Sequence, residues 1–208
     1  MGPSDAGVEF SLPMSPRAPD TLETERLVLR RWRADDRAGF ARINADPRVM
    51  EYFPSVLTRE ESDALVDRIE EHWHTHGFGL YAVDLKVGAR DGRPSDERQF
   101  IGFIGLARPS FEIDFAPCVE IGWRLDTSAW GRGLATEGAR AVAEYSIGPL
   151  GHDEIVSFTS VANARSRRVM EKIGMTHDSR DDFDHPKLPE GHPLRRHVLY
   201  RLRRLVVH

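Results

Sequence analysis

The sequence predicts a single α+β domain, on three observations. Several short runs alternate apolar and polar residues with the period of a strand. Longer stretches repeat apolar residues every three or four positions and carry helix caps. The 208 residues show one composition regime and no internal repeat. The predicted order is β-α-α-β-β-β-α-β-α-β-β, a meander followed by strand–helix units. Residues 1–20, rich in Pro, Gly and Ser, are expected to form a flexible tail ahead of a domain over 21–208.

"TLETERLVLRRW" carries Leu22, Leu27, Leu29 and Trp32 at mostly odd spacing, for a first strand at about 24–32, ended by the polar "RADD". Asp35 or Asp36 is positioned to cap a short helix with Phe40, Ile43 and Ala41 on its buried face, and "DPRVMEYFP" breaks it. Thr58 with Glu61 three residues on is a capping-box pattern; Leu65, Ile69 and Trp73 follow at helical spacing, and Gly77 is the stop. "FGLYAVDLK" and "QFIGFIGLA" read as a hairpin joined by the exposed loop "VGARDGRPSDER". "PCVEIGWRLD" is a strand with Val119, Ile121, Trp123 and Leu125 on one face and Cys118, Glu120, Gly122 and Arg124 on the other. A helix over about 133–147 puts Leu134, Gly138, Ala141, Val142 and Tyr145 on one stripe. "DEIVSFTSV" is a strand, "NARSRRVMEKIG" a helix capped by Asn163 and stopped by Gly174, and "HVLYRLRRL" a final alternating strand after a partly extended "MTHDSRDDFDH".

The net charge of −4 gives no reason to expect nucleic acid, and the basic stretches "RLVLRRWR" and "LRRHVLYRLRR" read as strands with one solvated face. One cysteine, Cys118, excludes an intrachain disulfide and suits a reducing compartment. No apolar run approaches the ~20 residues of a membrane helix, and the first residues lack the order of a signal peptide. A cytoplasmic protein without a membrane partner is the expectation.

The most informative stretch is "AWGRGLATEGARA", residues 129–141, where two glycines precede a helix just after a strand. The first N–H groups of a helix lack intrahelical partners, and the helix dipole favours an anion there. Gly131 and Gly133 allow close backbone approach, with Arg132 between them as a cation. The spacing fits neither the P-loop, which ends Gly-Lys-Ser/Thr, nor the dinucleotide fingerprint, because Thr136 follows Gly133 by three. Spacing alone leaves an anion site and a structural turn both open.

"VEIGWRLDTSAWGRGLATEGARA" followed by "FTSVANARSRRVMEKIGM" resembles the GNAT acyltransferases, in particular the branch of the ribosomal-protein alanine and serine N-terminal acetyltransferases. "TERLVLRRWRADD" and "NADPRVMEYF" resemble that branch too, so the likeness spans about 22–204. It implies the GNAT fold, a mixed, mostly antiparallel central sheet flanked by helices, and direct transfer of acetyl from acetyl-CoA to a primary amine. The family's motif Gln/Arg-x-x-Gly-x-Gly/Ala falls on Trp130, Gly133 and Ala135, with Trp130 departing at the first position. The resemblance assigns the CoA pyrophosphate to N–H groups of Arg132, Gly133, Leu134, Ala135 and Thr136. It assigns the pantetheine arm to the backbone of Trp123, Arg124 and Leu125, as an added strand, with Asn163 and Ser166 beside it. No metal is expected. The resemblance allows a homodimer that no segment specifies.

An α-amine acceptor (pKa ~7.7–8.0) is far easier to deprotonate than a lysine (~10.4), so a protein N-terminus is the favoured acceptor. A small-molecule amine (antibiotic, polyamine or amino acid) and a non-catalytic acyl-CoA-binding module stand as alternatives. Glu120 is the first candidate for general base, against a plain strand carboxylate paired with Arg124. Ser166 is a candidate to protonate the departing thiolate, against a first-turn serine bonded to Asn163. Cys118 as an acyl carrier competes with simple packing. "HDSRDDFDHP" lacks the Gly and Glu of an EF-hand loop. It is read as an acidic rim for a cationic amine, with Asp184 and His185 shaping the acceptor pocket and His185 a second candidate base; a solvated loop is the competing reading. His72 and His76 of "HWHTH" share a helix face without further ligands, which favours helix-end histidines over a metal site.

Overall fold

The computed structural model describes residues 16–88 and 97–204. Its first strand differs from expectation. The chain forms a hairpin of β1 (Thr21–Glu23) and β2 (Leu27–Arg30) where one strand over 24–32 was predicted. Thr24 makes the turn: its N–H donates to the Leu27 carbonyl and its hydroxyl accepts the Leu27 N–H, each at 3.0 Å. Most of the expected tail lies outside the described residues. Within them, Ala18 N–H donates to Gly77 O and Tyr81 Oη donates to Pro19 O, both at 2.8 Å.

Helix α1 (Asp36–Asn44) follows, but neither aspartate caps it as predicted. The Asp35 side chain makes no cap bond, and Asp36 is buried, accepting from Arg33 N–H at 2.7 Å and from Arg30. Arg30 grips Asp36 with one edge of its guanidinium and Asp84 with another, at 2.6–2.8 Å. The solvated face predicted for "RLVLRRWR" is therefore wrong at β2, whose four residues are all buried: the positive charge is answered inside by two carboxylates.

Helix α2 (Arg59–His76) carries the capping box. Thr58 Oγ1 accepts from Glu61 N–H at 3.2 Å, and Glu61 Oε2 accepts from Thr58 N–H at 2.8 Å. Gly77 ends it in the left-handed conformation (φ 72°) that a glycine adopts without strain. Thr58→Ala removes a partner of one orphan N–H and is expected to destabilise the fold by about 1 kcal/mol, read as a lower urea midpoint at constant m-value; an unchanged midpoint would show the cap to be idle. The buried face runs Ser62, Val66, Ile69, Trp73, one position round from the predicted Leu65.

Strands β3 (Leu80–Lys86), β4 (Arg98–Ala107) and β5 (Glu120–Leu125) form the meander, and α3 (Leu134–Ile147) follows the glycine turn. The buried stripe of α3 is Leu134, Gly138, Ala139, Val142, Ala143 and Ser146; Ala141 and Tyr145 sit at its margin. Strand β6 (Glu154–Ser160), α4 (Ala164–Lys172), two short strands β7 (Thr176–His177) and β8 (Phe183–Asp184), and β9 (Arg196–Arg203) complete the chain. Among the described residues the nine-stranded sheet runs β1-β2-β3-β4-β5-β6-β9-β7, with β8 also on β9, and only the β5–β6 pair is parallel. Adjacent β4 residues place the helices on opposite faces: the ring of Phe103 packs on Phe40 of α1, whereas Ile104 lies under Gly138 of α3. A methyl at Gly138 would stand 2.5 Å from Ile104 Cδ1, so the Ile104 side chain would have to shift to admit one.

Candidate active site

The site starts from a parting of the sheet. Strands β5 and β6 register at one pair, Glu120 with Val156, after which they diverge. Val156 N–H donates to Val119 O at 2.9 Å at the closed end. On the other side β5 keeps a full antiparallel ladder with β4, and Asp126 N–H reaches Ile101 O at 2.8 Å across the Gly102–Leu125 pair. In such a ladder alternate residues turn their main chain to opposite neighbours. Arg124 therefore spends its N–H and C=O on Phe103, while Trp123 and Leu125 turn theirs into the gap. This refines the predicted Trp123–Arg124–Leu125 edge: a strand-like ligand finds the main chain of Trp123 and Leu125 there, not that of Arg124. The Leu125 carbonyl is already taken by the Trp130 indole N–H at 3.0 Å, so the Trp at the motif's first position closes the end of β5.

Beyond Leu125 the chain makes a short 3₁₀ turn and enters the glycine segment. Gly131 and Gly133 both have positive φ, 71° and 77°, and a side chain at either would be strained. The first N–H of the helix with a main-chain acceptor is that of Glu137, to Gly133 O at 3.0 Å; those of Leu134, Ala135 and Thr136 are left open. Arg26, unremarked in the sequence, holds this turn: Nη1 donates to Arg132 O at 2.9 Å, and Nε donates to Glu137 Oε2 at 2.7 Å. Thr24 Oγ1 adds a 2.6 Å bond to the same carboxylate. The Arg132 side chain is exposed and does not line the cleft. A preformed turn with open N–H groups beside an unpaired strand edge fits the phosphates and amide-bearing arm of CoA.

The parting opens into a cleft of about 670 Å³ lined on one side by Glu120, Gly122, Trp123 and Arg124. Glu120 has no hydrogen-bond or ion-pair partner among the described residues, and burial pushes its pKa up to about 8. The predicted alternative, pairing with Arg124, does not occur: Arg124 Nη1 donates to Asn44 Oδ1 at 2.7 Å. Ser166 Oγ accepts the Trp123 indole N–H at 3.2 Å, which leaves the hydroxyl proton to be donated elsewhere. Asn163 caps α4 through Oδ1, accepting from Ser166 N–H at 3.1 Å, and gives its amide hydrogen to Thr159 Oγ1 at 2.9 Å. It lines the cleft as the residue that fixes Ser166 in place.

His185 also lines the cleft, among the rings of Phe111, Phe158 and His197. Burial and the neighbouring His197 and Lys187 pull its pKa down to about 4. Asp184 is a correction: it does not line the cleft, because β8 turns it outward to Arg195 and Arg196 at 3.4 and 3.3 Å. The other aspartates of the segment are likewise answered, Asp178 by Arg180, Asp181 by Arg201 and Asp182 by His177, so no unbalanced acidic rim exists. Burial and the Glu120 charge raise the pKa of Cys118, the reverse of what a nucleophilic thiol needs. His72 has both ring nitrogens engaged, by Phe78 O and Arg108 N–H, as a structural residue. Among the described residues no cluster of three or more His, Cys, Asp or Glu side chains is placed to hold a metal ion, and no helix is long and apolar enough to cross a membrane.

A family profile described as "Acetyltransferase (GNAT) domain" matches residues 26–176. The chain is 31% identical over 180 residues to an Aspergillus fumigatus protein named FsC-acetyl coenzyme A-N(2)-transacetylase, covering 79% of this chain and 68% of that one. An acetyltransferase structure from Agrobacterium tumefaciens superposes with a TM-score of 0.67 at 27% identity, covering 97% of this chain and all of its own. A coenzyme A complex of RimL, the ribosomal L7/L12 alpha-N-protein acetyltransferase, shares the fold at TM-score 0.64 and 16% identity, with 87% and 96% of the two chains covered. The parted β5–β6 pair, the glycine turn before α3 and these likenesses agree, and the chain belongs to the GNAT family of acetyl-CoA-dependent acetyltransferases.

Proposed function

We propose that this cleft acetylates a primary α-amine, with Glu120 as the general base and Ser166 as the proton donor to the leaving sulfur. The observation that carries the reading is the unpartnered, desolvated Glu120 at the closed end of the β5–β6 gap. Acetyl-CoA supplies an acetyl group already activated as a thioester. The acceptor arrives as an ammonium and must lose a proton before its nitrogen attacks. A carboxylate of pKa about 8 is matched to an α-amine of ~7.7–8.0, so the proton moves between near-equals. A lysine at ~10.4 would cost about 3–4 kcal/mol more. His185, held near 4, is too weak a base to hold that proton, which favours Glu120 over the second candidate.

A protein N-terminus is the acceptor this reading favours. The second reading, a small-molecule amine, draws support from the Aspergillus relative, whose name places its transfer on an N(2) nitrogen of FsC. A thiol-release screen separates them: acetyl-CoA with short free-N-terminal peptides, the same peptides N-blocked but carrying a lysine, polyamines and aminoglycosides, with mass spectrometry locating the acetyl group. Turnover on free peptide N-termini is the expected result. Turnover confined to polyamines or aminoglycosides moves the assignment to the second reading, and no release with any amine points to a non-catalytic acyl-CoA-binding module.

A further inference from the structure

Arg124 is a charge with no answer. It is 9% exposed and lines the cleft on the same face of β5 as Glu120. Asn44, itself buried, offers its carbonyl oxygen to Nη1, an orientation fixed because its Nδ2 donates to Ser62 Oγ at 2.8 Å. The rings of Phe53 and Phe103 lie 4.1 and 5.5 Å from the guanidinium carbon. Nε is buried without an acceptor, Nη2 has no protein acceptor among the described residues, and no carboxylate pairs with the group. Burial lowers its pKa to about 10, which still leaves it a cation at neutral pH.

Nε is enclosed by the protein, so Nη2 is the nitrogen left to donate to a ligand, and a charged donor there favours a carboxylate oxygen. The chain shows how a buried arginine is otherwise answered. Arg30, equally buried, gives Nε and Nη2 to Asp84 at 2.6 and 2.8 Å. The CoA phosphates are not the missing partner. Arg124 shares a strand pair with Phe103, on the α1 face, and the glycine turn leads into α3 on the opposite face.

We infer that Arg124 selects the acceptor: the amine acetylated here belongs to a molecule that also carries a carboxylate, which docks at the open Nη2 while the amine meets Glu120. This rests on the assignment of Glu120 as base. Glu120 and Arg124 are four residues apart, about 13 Å between Cα atoms on an extended strand, and the Glu120 carboxyl leans along it toward Gly122. Two sources supply the chemistry, an acidic side chain beside a peptide N-terminus and the α-carboxylate of a free amino acid.

The test uses twin acceptors: Ala-Glu-amide against Ala-Gln-amide for the first source, and leucine against leucinamide for the second. Wild-type kcat/KM is expected to favour the acidic member of one pair by about 30-fold or more, the effect of removing one partner of a buried charge pair. Arg124→Met should erase that preference, bringing the acidic-to-neutral ratio of kcat/KM to about 1; Arg124→Lys should restore part of it. Wild-type protein that treats both pairs alike overturns the inference, and so does an Arg124→Met protein that loses both twins equally. Calorimetric binding of the N-acetylated products with CoA present separates this from the catalytic assignment. Carboxylate-dependent affinity that vanishes in Arg124→Met upholds the role of Arg124 even if no amine releases thiol, and equal affinities for the two products sink it.

Discussion

In the Glu120→Gln protein, turnover near neutral pH is expected to fall about 10²- to 10⁴-fold, the range a positioned general base contributes, with affinity for CoA nearly unchanged. The pH profile carries the sharper test. Wild-type activity should rise with pH to a plateau above about 8, where Glu120 is ionised. In the variant only deprotonation of the amine itself (pKa ~7.7–8.0) drives a rise, so its deficit should narrow as the pH climbs past about 8. A variant whose profile overlays the wild type removes Glu120 from the mechanism. Stability should move the other way. A carboxyl whose folded pKa lies above its unfolded value binds more protons when folded, so stability drops as pH climbs from about 4.5 to 8. A neutral isostere escapes this loss, so Glu120→Gln is expected to melt higher than wild type at pH 8. On the proposed role of Glu120, the base is kept at the expense of the fold.

The second large effect is at the glycine turn. Gly133→Asp is expected to weaken CoA binding by about 100-fold or more, since like charges brought together cost several kcal/mol, and to abolish the thermal protection CoA confers. The fold should survive, because an acid at a helix N-terminus suits the dipole and Asp tolerates positive φ better than most residues. Gly133→Ala separates the causes: it introduces the strain of φ 77° without a charge and should lose far less affinity. Undiminished protection by CoA in the Asp variant would rule out an anion site at this turn.

Local signals were read well from the sequence. The capping box at Thr58, the stops at Gly77 and Gly174, the cap at Asn163 and both positive-φ glycines of the turn depend on neighbours a few residues away. What the sequence hid is long-range. Arg30 looked like a solvent-facing strand residue because its partner Asp84 is 54 positions distant. Arg26 and Glu137, which brace the glycine turn, are 111 apart, and neither stands out alone. Asp184 and its neighbours read as an acidic rim because charge density in sequence carries no information about the arginines that β9 brings alongside. Arg124 was visible as the one cation in "EIGWRL", but its solitude was not, since that required knowing that Asn44, and no acid, faces it.

The single registered pair between β5 and β6 has one more consequence. It makes the sheet two half-sheets, residues 21–125 and 154–203, joined by a seam whose closed end is Glu120. A ligand lying along Trp123 and Leu125 works as a removable strand that stitches the seam shut. On the proposed donor site, CoA binding is then also a mechanical event, tying the two half-sheets together beside Glu120.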